Sequence, residues 1–442
     1  MSDQSNQKPV IERLIKTFGE KEVVKDFDEE EDLYRPADQK EVAQRTLFLI
    51  GKPAVLPLIE ALASENIEVR HWVVSTLGDL EDERIIEPLL KLLENKDEDL
   101  YLCWSILRIL GSLKDNRAVE PLIRIFVNQD YQKIRGQIAV TLGKLGDRQA
   151  VVPLMEALSQ DQDNAVRRWS AHALGDIGDP RALELLSTLL NDQDAEIRST
   201  AISSLSQLSG VNSYDLIVPF LTDPDFRVRD VTVTALGVLG DKRACPLLVE
   251  LLESKPVNQA AILQALCKLG SDCAYPLLLK LFHGGSNYLA GMAASYLGEF
   301  RFPNAFELLI TKIRNGDDYL EPYAAMALGK LGNERAFEPL VRVLREAPER
   351  ISIYAAIGLG LSGDKRAYEP LVEALDYGSP DMRFRVIKAL GWIKDPRSLP
   401  VLEYRALHDF ERAEDAEEES AFICDAAIEA IKEIRREERS AK

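Results

Sequence analysis

The chain has 442 residues, of which 46% are hydrophobic, and a formal net charge of -19 at pH 7. The hydrophobic share is ordinary for a folded soluble protein. The acidic balance argues against a nucleic-acid backbone as the main partner, because phosphates require a basic surface. No apolar run approaches the roughly 18 residues that span a bilayer, and the polar start lacks the apolar core of a signal peptide. We therefore expect a cytoplasmic protein that does not insert into membranes.

The N-terminal segment places Ile11, Leu14, Ile15 and Phe18 at helical spacing and then runs into an acidic stretch, residues 26–32. The apolar positions predict a helix that shields the first unit of the structure behind it. The acidic run predicts a solvated linker, with a docking patch for a basic partner as the alternative. We assign residues 1–50 to this capping helix and linker.

Behind this segment the sequence repeats itself about every 31 residues, roughly a dozen times, as solenoid proteins do. Clear copies have an arginine, an apolar residue and then Pro-Leu, and they begin at Glu83, Asn116, Asp241, Asn333 and Asp364. Each unit of a solenoid buries its apolar face only against its neighbours. We predict an all-α protein, an α-solenoid built as a superhelix of about twelve short helix pairs, over residues 51–402.

One unit shows why each repeat forms two helices. Asp179 can cap a helix and Pro180 suits its first position. Apolar residues then recur at helical spacing, residues 191–194 break the helix, and a second apolar face follows. The two faces consist of Leu183, Leu186, Leu189 and Leu190, and then of Ile197, Ala201, Ile202 and Leu205.

The second helices share a pattern in which an apolar residue and Arg are followed by small residues and Leu-Gly. A further glycine can end the helix in the left-handed conformation, at Gly146, Gly178, Gly240 and Gly332. An acid stands four residues before the Arg in Asp163/Arg167, Asp194/Arg198 and Asp225/Arg229. Because Arg–carboxylate pairs fix geometry, we predict a structural ladder of these pairs that joins repeats. Repeats between about residues 255 and 353 lack the Arg.

The C-terminal part is rich in acids between Glu411 and Glu419 and then carries apolar residues on one helical face. That face consists of Phe422, Ile423, Ala426, Ala427, Ala430, Ile431 and Ile434. We assign residues 403–442 to a second capping helix.

Five cysteines are present, and none forms a C-x-x-C pair. Cys103, Cys245 and Cys267 replace small or apolar residues within repeats, which is typical of thiols that simply pack. The odd number and the repeat scaffold favour a reducing compartment.

The Arg-Ala-x-x-Pro-Leu openings and the Val-Arg…Ala-Leu-Gly-x-x-Gly-Asp closings resemble HEAT repeats, and more closely the short HEAT-like repeats of the phycobilisome (PBS) lyase type. The resemblance covers roughly Pro53 to Leu402. It implies an armadillo-like helical fold. It implies little about activity, since such repeats occur in bilin lyases, in phycobilisome degradation factors and in adaptors.

No catalytic motif stands out. The four histidines are His71, His172, His283 and His408, and none lies in H-E-x-x-H or in the repeated His-Glu pairs of a HEAT-like di-iron hydroxylase. The Leu-Gly-x-x-Gly motifs end helices and do not follow strands, so they are not phosphate-binding loops. We predict no catalytic residues, no metal site and no cofactor.

Aligning the second helices on Arg and Leu-Gly leaves positions that should face outward. They hold the aromatic and basic residues Trp72, Trp104, Arg108, Trp169, His172, Tyr323, Tyr354, Arg385, Lys388 and Trp392. Second helices line the concave surface of HEAT-type solenoids, and Trp, Tyr and Arg are enriched at binding hot spots. We predict a concave partner-binding site. The alternative is that large aromatics fill gaps between adjacent repeats.

Two classes of function follow. The first is a non-enzymatic scaffold or adaptor whose concave face binds a protein. The second is a bilin (phycobiliprotein) lyase or lyase subunit, or a phycobilisome assembly or degradation factor, whose partner is a phycobiliprotein or a bilin. The stretch Asn287 to Arg301 resembles a region of such lyases but carries Ser295-Tyr296 where they carry tryptophans.

Overall fold

A computed structural model describes residues 4–20, 39–96, 98–208, 213–254, 258–302, 304–315, 319–413 and 422–440. The predicted acidic linker at residues 26–32 and most of the acidic stretch before the C-terminal helix lie outside these ranges.

Over the described ranges the protein consists of 26 α-helices and short 3-10 turns, with a single isolated β-bridge between Arg412 and Phe422. The 24 helices from α3 to α26 alternate as first and second helices, which confirms the predicted all-α solenoid. The last second helix, α26, is the helix that the sequence analysis assigned to the C-terminal cap. The first helices are α3 Lys52–Ala61, α5 Ile86–Leu93, α7 Val119–Val127, α9 Val151–Gln160, α11 Leu183–Thr188, α13 Tyr214–Ile217, α15 Ala244–Ser254, α17 Ser271–Gly284, α19 Ala305–Asn315, α21 Phe337–Glu346, α23 Tyr368–Leu375 and α25 Leu399–His408. The second helices are α4 Ile67–Leu80, α6 Leu100–Leu113, α8 Gln132–Leu145, α10 Asn164–Ile177, α12 Ala195–Gln207, α14 Phe226–Leu239, α16 Gln259–Leu269, α18 Asn287–Glu299, α20 Leu320–Leu331, α22 Glu349–Leu361, α24 Pro380–Ile393 and α26 Ile423–Ser440.

The chain forms two compact units. Unit one contains Met1–Glu20 and Ile50–Cys273, and unit two contains Lys21–Leu49 and Ala274–Lys442. Within unit one each second helix from α4 to α14 packs on the next second helix, and the same holds within unit two from α18 to α26.

The glycine of each Leu-Gly pair lies where consecutive second helices touch. A methyl group added at Gly143 would stand 2.8 Å from Cα of Ala173, and one added at Gly175 would stand 2.6 Å from Cα of Ser204. Both distances are shorter than carbon–carbon contact allows. The later glycines Gly146 and Gly178 have the predicted left-handed conformation, with φ of +72° and 67°.

The recurring Asp-x-Arg turn brings its aspartate and arginine side chains together in a local clamp. Asp179 accepts a hydrogen bond from the backbone N–H of Arg181 at 3.0 Å, and the Arg181 guanidinium donates back to both Asp179 oxygens at 2.9 Å. These bonds lower the pKa of Asp179 to about 2. The same arrangement occurs at Asp82, Asp115, Asp225, Asp241, Asp364 and Asp395.

The predicted ladder exists, but its carboxylates are not the ones that the spacing indicated. Asp163 and Asp194 cap the helices that follow them. Arg198 pairs with Asp223 of the next repeat at 2.9 Å. The predicted partner was wrong because the acid four residues before the Arg already serves as the N-cap of the same helix. The guanidinium of Arg198 therefore binds the carboxylate of Asp223, 25 residues further along the chain.

Four such inter-repeat pairs are present within the described residues. They are Arg70–Glu98, Arg135–Asp161, Arg198–Asp223 and Arg383–Asp409. Arg229, by contrast, donates to the backbone carbonyls of Asp223 and Pro224 in its own turn.

Two N-terminal helices precede the repeats. Helix α1, Gln4–Thr17, packs on α3, and Ile11 and Phe18 are buried. Helix α2, Gln39–Ile50, was not predicted as an element. Within unit two, its Arg45 pairs with Asp425 of α26 at 2.8 Å.

The assignment of residues 1–50, 51–402 and 403–442 to caps and solenoid stays a prediction.

The cysteine prediction was right for two residues and wrong for a third. Cys103 and Cys267 are buried as reduced thiols. Cys245, however, forms a disulfide with Cys273, with their Cα atoms 5.8 Å apart. Sequence patterns missed this pair because the two residues lie 28 positions apart and meet only when consecutive repeats stack.

Candidate partner-binding surface

All ten predicted surface residues lie on second helices, five in each unit. In unit one they are Trp72, Trp104, Arg108, Trp169 and His172, and in unit two they are Tyr323, Tyr354, Arg385, Lys388 and Trp392. None is fully buried. Trp104 and Trp169 are the most exposed of the four tryptophans, with 40% and 37% of their surfaces open to solvent.

Trp104 is held from one side and open on the other. Its ring meets Tyr101 of the same helix edge to face, with centroids 5.5 Å apart, and Tyr101 is 68% exposed. Arg108 lies one turn further along α6 and is also exposed. An aromatic pair beside a guanidinium is the composition that recurs at protein-binding hot spots.

Trp169 lies across the junction between two second helices. A methyl group at Gly136 of α8 would stand 3.1 Å from the Trp169 ring, so the indole rests on that glycine. Arg168 stacks over the ring at 5.5 Å and pairs with Glu196 of α12 at 2.6 Å. The indole is therefore held between α8 and α10, and Arg168, which stacks on it, is itself fixed by Glu196 of α12.

His172 completes this cluster. Its ring lies edge to face with Trp169, and its Nδ1 is 3.2 Å from a carboxylate oxygen of Asp176. The hydrogen bond with Asp176 raises the pKa of His172. Protonation of this half-exposed imidazole would add positive charge beside the Trp169 ring as the pH falls.

Trp72 is partly covered by the chain itself. Phe18, just after α1, stacks on the Trp72 ring with centroids 5.7 Å apart and an interplanar angle of 14°. The neighbouring His71 bonds Asp99, the N-cap of α6, at 3.0 Å. The Asp99 pKa is lowered, first by the backbone N–H of Leu102 and then by His71. His71 therefore links two repeats.

In unit two the same ring-on-glycine packing recurs. A methyl group at Gly291 of α18 would stand 2.9 Å from the Tyr323 ring, and one at Gly360 of α22 would stand 3.0 Å from the Trp392 ring. The two interpretations of these aromatics are compatible here, because each ring fills a gap between repeats while part of it stays open. Burial raises the pKa of the Tyr323 phenol.

Two tyrosines that the sequence analysis did not select extend the surface of unit two. Tyr288, at the start of α18, is 60% exposed, and Tyr319, just before α20, is 37% exposed. The Tyr319 and Tyr323 rings lie 5.7 Å apart. They were missed because they stand at helix starts, outside the aligned positions.

Other kinds of site were sought in the same ranges. The described residues contain no group of His, Cys, Asp and Glu side chains with the arrangement of a metal site. None of the helices in those ranges is both long and apolar enough to cross a membrane. A cavity of about 340 Å³ lies between the turns at Asn333 and Asp364, but Asp364 is already clamped to Arg366 there.

The repeats identify the family. The family model for HEAT repeats matches residues 55–140, 119–206, 186–267, 214–290, 275–353 and 343–422. The chain therefore belongs to the HEAT-repeat family. Comparison with curated protein sequences finds no match.

Similar solved structures share the helical-repeat fold. The complex of CpcE and CpcF of phycocyanin lyase from a Nostoc species is 18% identical over 72% of this chain and 97% of that one, with a TM-score of 0.31. Yeast importin-beta is 14% identical over 98% of this chain and 63% of its own, with a TM-score of 0.44. Human deoxyhypusine hydroxylase is 18% identical over 65% of this chain and 98% of its own, with a TM-score of 0.27. At these values the similarities carry no statement about activity.

Proposed function

We propose that this protein is a non-enzymatic interaction scaffold that binds a protein partner on the surface of its second helices, with Trp104 and Trp169 as the main anchors. The observation that carries the proposal is that these two large aromatic side chains are open to solvent and yet held by neighbouring rings and by Arg168. A side chain that is already ordered loses little conformational entropy when a partner covers it.

The packing of the second helices supports this choice of surface. Their close approach at Gly143 and Gly175 brings their outward residues near one another across successive repeats. Shortening this layer relative to the layer of first helices favours a surface that curves around a ligand, as in other α-solenoids. The concave position of the ten residues remains part of the proposal.

The chain offers an example of the chemistry that this surface accepts. Phe18 follows an amphipathic helix and stacks on Trp72, and it is completely buried there. We infer that the partner presents an apolar helix with an aromatic side chain, a common mode of groove recognition. Arg108 offers such a helix a cation beside Trp104, to which a carboxylate of the partner can bind.

The bilin-lyase alternative gains no specific support from the described residues. The stretch that resembles lyases forms α18, in which Ala293, Ala294, Leu297 and Gly298 are buried. A methyl group at Gly298 would stand 2.6 Å from Cα of Ala327 in α20. The shared residues therefore serve the packing of repeats, and a phycobiliprotein or bilin partner stays an outcome for experiment.

The test compares partner binding by the wild-type chain, by a W104A/W169A variant and by an L56A/V152A control. Leu56 and Val152 are 56% and 51% exposed on the first helices α3 and α9 of the same unit. We expect the tryptophan variant to lose more than about 2 kcal/mol of binding free energy, roughly 30-fold in Kd, because hot-spot residues carry losses of that size.

Affinity purification from the source cells with quantitative mass spectrometry identifies the partner, and titration calorimetry then measures Kd. The control should retain the partner, and circular dichroism should show that both variants are folded. Equal affinity of the wild type and the tryptophan variant would contradict the proposal. A covalent coloured adduct after co-expression with a bilin and its acceptor protein would favour the lyase alternative instead.

A further inference from the structure

We propose that Cys245 and Cys273 form a reversible thiol–disulfide switch that links helix α15 to the first turn of helix α17 and so encloses helix α16. The inference is independent of the partner-binding proposal. It rests on the place of the two cysteines in the fold and on how they differ from the other three.

The bond joins the first helices of neighbouring repeats. Cys245 is the second residue of α15 and Cys273 the third residue of α17. Helix α16 lies between them in the chain, so the disulfide closes a loop that contains one whole second helix. Closing a loop in this way restricts the unfolded chain more than the folded one, and so stabilises the enclosed segment.

The covalent link occurs where the ladder of ion pairs stops. Arg198 of α12 reaches Asp223, but Arg229 of α14 bonds only carbonyls of its own turn in the contacts described, and α16 begins with Asn258-Gln259. Helix α16 still touches α14 through Gly237, where an added methyl group would stand 2.8 Å from Cα of Ala265. The disulfide therefore supplies a directed link that other repeats obtain from an arginine.

The two cysteines also have the surroundings of reactive thiols. Both lie in the first turn of a helix at least eleven residues long, where the backbone N–H groups stabilise a thiolate. Both are partly exposed, so a small thiol or disulfide can reach them.

The remaining cysteines have the opposite character. Cys103, Cys267 and Cys424 are buried as reduced thiols. Burial raises the pKa of Cys103 to about 11 and that of Cys424 to about 12. A thiol that stays protonated is a poor nucleophile, so mild oxidants should act on Cys245 and Cys273 alone.

The oxidant is a low-molecular-weight disulfide of the glutathione type. The thiolate of one cysteine attacks a sulfur of this disulfide, forms a mixed disulfide and releases one small thiolate. The second cysteine thiolate then attacks the protein sulfur of the mixed disulfide and releases the other. Two electrons pass to the small disulfide, and the two protons of the cysteine thiols end on the released small thiols. Excess small thiol reverses both steps.

The experiment equilibrates the full-length protein in buffers with different ratios of reduced to oxidised glutathione. Peptide mapping by mass spectrometry follows the linked Cys245–Cys273 peptides, and hydrogen exchange follows the amides of α16. We expect the linked peptides to appear as the buffer becomes oxidising and to disappear on reduction. In the oxidised protein the α16 amides should exchange at least about tenfold more slowly than in the reduced protein, because loop closure opposes local opening.

Two variants separate the switch from general effects of oxidation. C245S/C273S should exchange like the reduced wild type in every buffer, whereas C103S/C267S should still switch. The proposal is overturned if the linked peptides never form, if they persist at high excess of reduced glutathione, or if α16 exchanges equally in both states.

Discussion

The two units join consecutive repeats by different means. In unit one, Arg70, Arg135 and Arg198 stand seven residues before a leucine, which is followed by glycine in the first two cases and by Ser206 in the third, and each arginine reaches a carboxylate of the next repeat. In unit two, helices α18, α20 and α22 place other residues at that position, and α24 again has an arginine, Arg383. The substitutes are Ala290, Glu321 and Ser352.

At two junctions of unit two that lack the arginine, those after α18 and α20, the second helices approach more closely than at Gly143 and Gly175. In unit one a methyl group at Gly143 or Gly175 would collide with Cα of the next helix at 2.8 or 2.6 Å. In unit two a methyl group at Gly298 would instead overlap the carbonyl oxygen of Ala327, and one at Gly329 would overlap the carbonyl oxygen of Gly358. The comparison indicates that a repeat can be joined either by a directed ion pair or by a shorter distance between backbones, since dispersion contacts grow as helices approach.

The largest expected effect follows from removing one arginine of unit one. Arg135 is 4% exposed, donates to the carbonyl of Phe126 at 2.8 Å and pairs with Asp161. Arg135→Ala leaves the Asp161 carboxylate buried without its cation, which should cost about 3–5 kcal/mol of the free energy of unfolding. Urea denaturation followed by circular dichroism measures the loss.

Arg124→Ala is the matched control. Arg124 pairs with Glu120 on the surface of α7, and the two side chains are 62% and 76% exposed. An exposed pair contributes less than about 1 kcal/mol. If both arginine variants lose the same stability, the ion pairs do not hold the repeats of unit one together.

The second prediction concerns the close backbone contact of unit two. Gly329→Ala places its methyl group against the carbonyl of Gly358, so α20 and α22 must move apart. We expect a loss of about 1–3 kcal/mol, the usual range for overpacking. Thermal unfolding measures it, and Gly284→Ala serves as the control, because no atom lies within 4 Å of the methyl position there.

The same substitution at Gly175 in unit one distinguishes the two ways of joining repeats. Its methyl group would stand 2.6 Å from Cα of Ser204, whereas the one at Gly329 would overlap the carbonyl oxygen of Gly358, so the helices at Gly175 must move apart by less. Gly175→Ala should therefore cost less than Gly329→Ala. An equal or larger loss at Gly175 would show that the closer approach in unit two has no energetic consequence.

The comparison also shows what the sequence could predict. The period, the pairing of helices and the glycine terminations follow from contacts within one repeat, and they were predicted correctly. The partner of Arg198, the Cys245–Cys273 bond and the packing of α2 on α26 depend on how repeats stack, which spacing within one repeat does not determine. Tyr288 and Tyr319 were not selected as surface residues because they lie outside the positions that the repeats have in common. The ten surface residues were selected because they break the repeat pattern at equivalent sites, and their role in binding stays a prediction.

The smallest expected effect concerns the turn clamp, which occurs in two versions: the Asp–Arg clamp is found in both units, and one turn of unit two has asparagine in place of the aspartate. In unit one Asp179 caps its turn and binds the Arg181 side chain, whereas in unit two Asn333 caps the equivalent turn and Arg335 turns to Glu307. Asp179→Asn should convert the first version into the second. It keeps the cap acceptor and loses only the ion pair with a half-exposed arginine, so the loss at pH 7 should stay below about 1 kcal/mol.

The pH dependence identifies the cause of that loss. The Arg181 side chain lowers the pKa of Asp179 to about 2 in the folded protein, below its ordinary value of 3.8. A group with a lowered pKa stabilises the fold above its unfolded value and loses that contribution as the pH falls toward 2. The difference in melting temperature between wild type and Asp179→Asn should therefore shrink from pH 7 to pH 3. A difference that is constant over this range would mean that the asparagine disturbs the turn itself, and that the charge of Asp179 adds nothing to the cap that Asn333 provides in unit two.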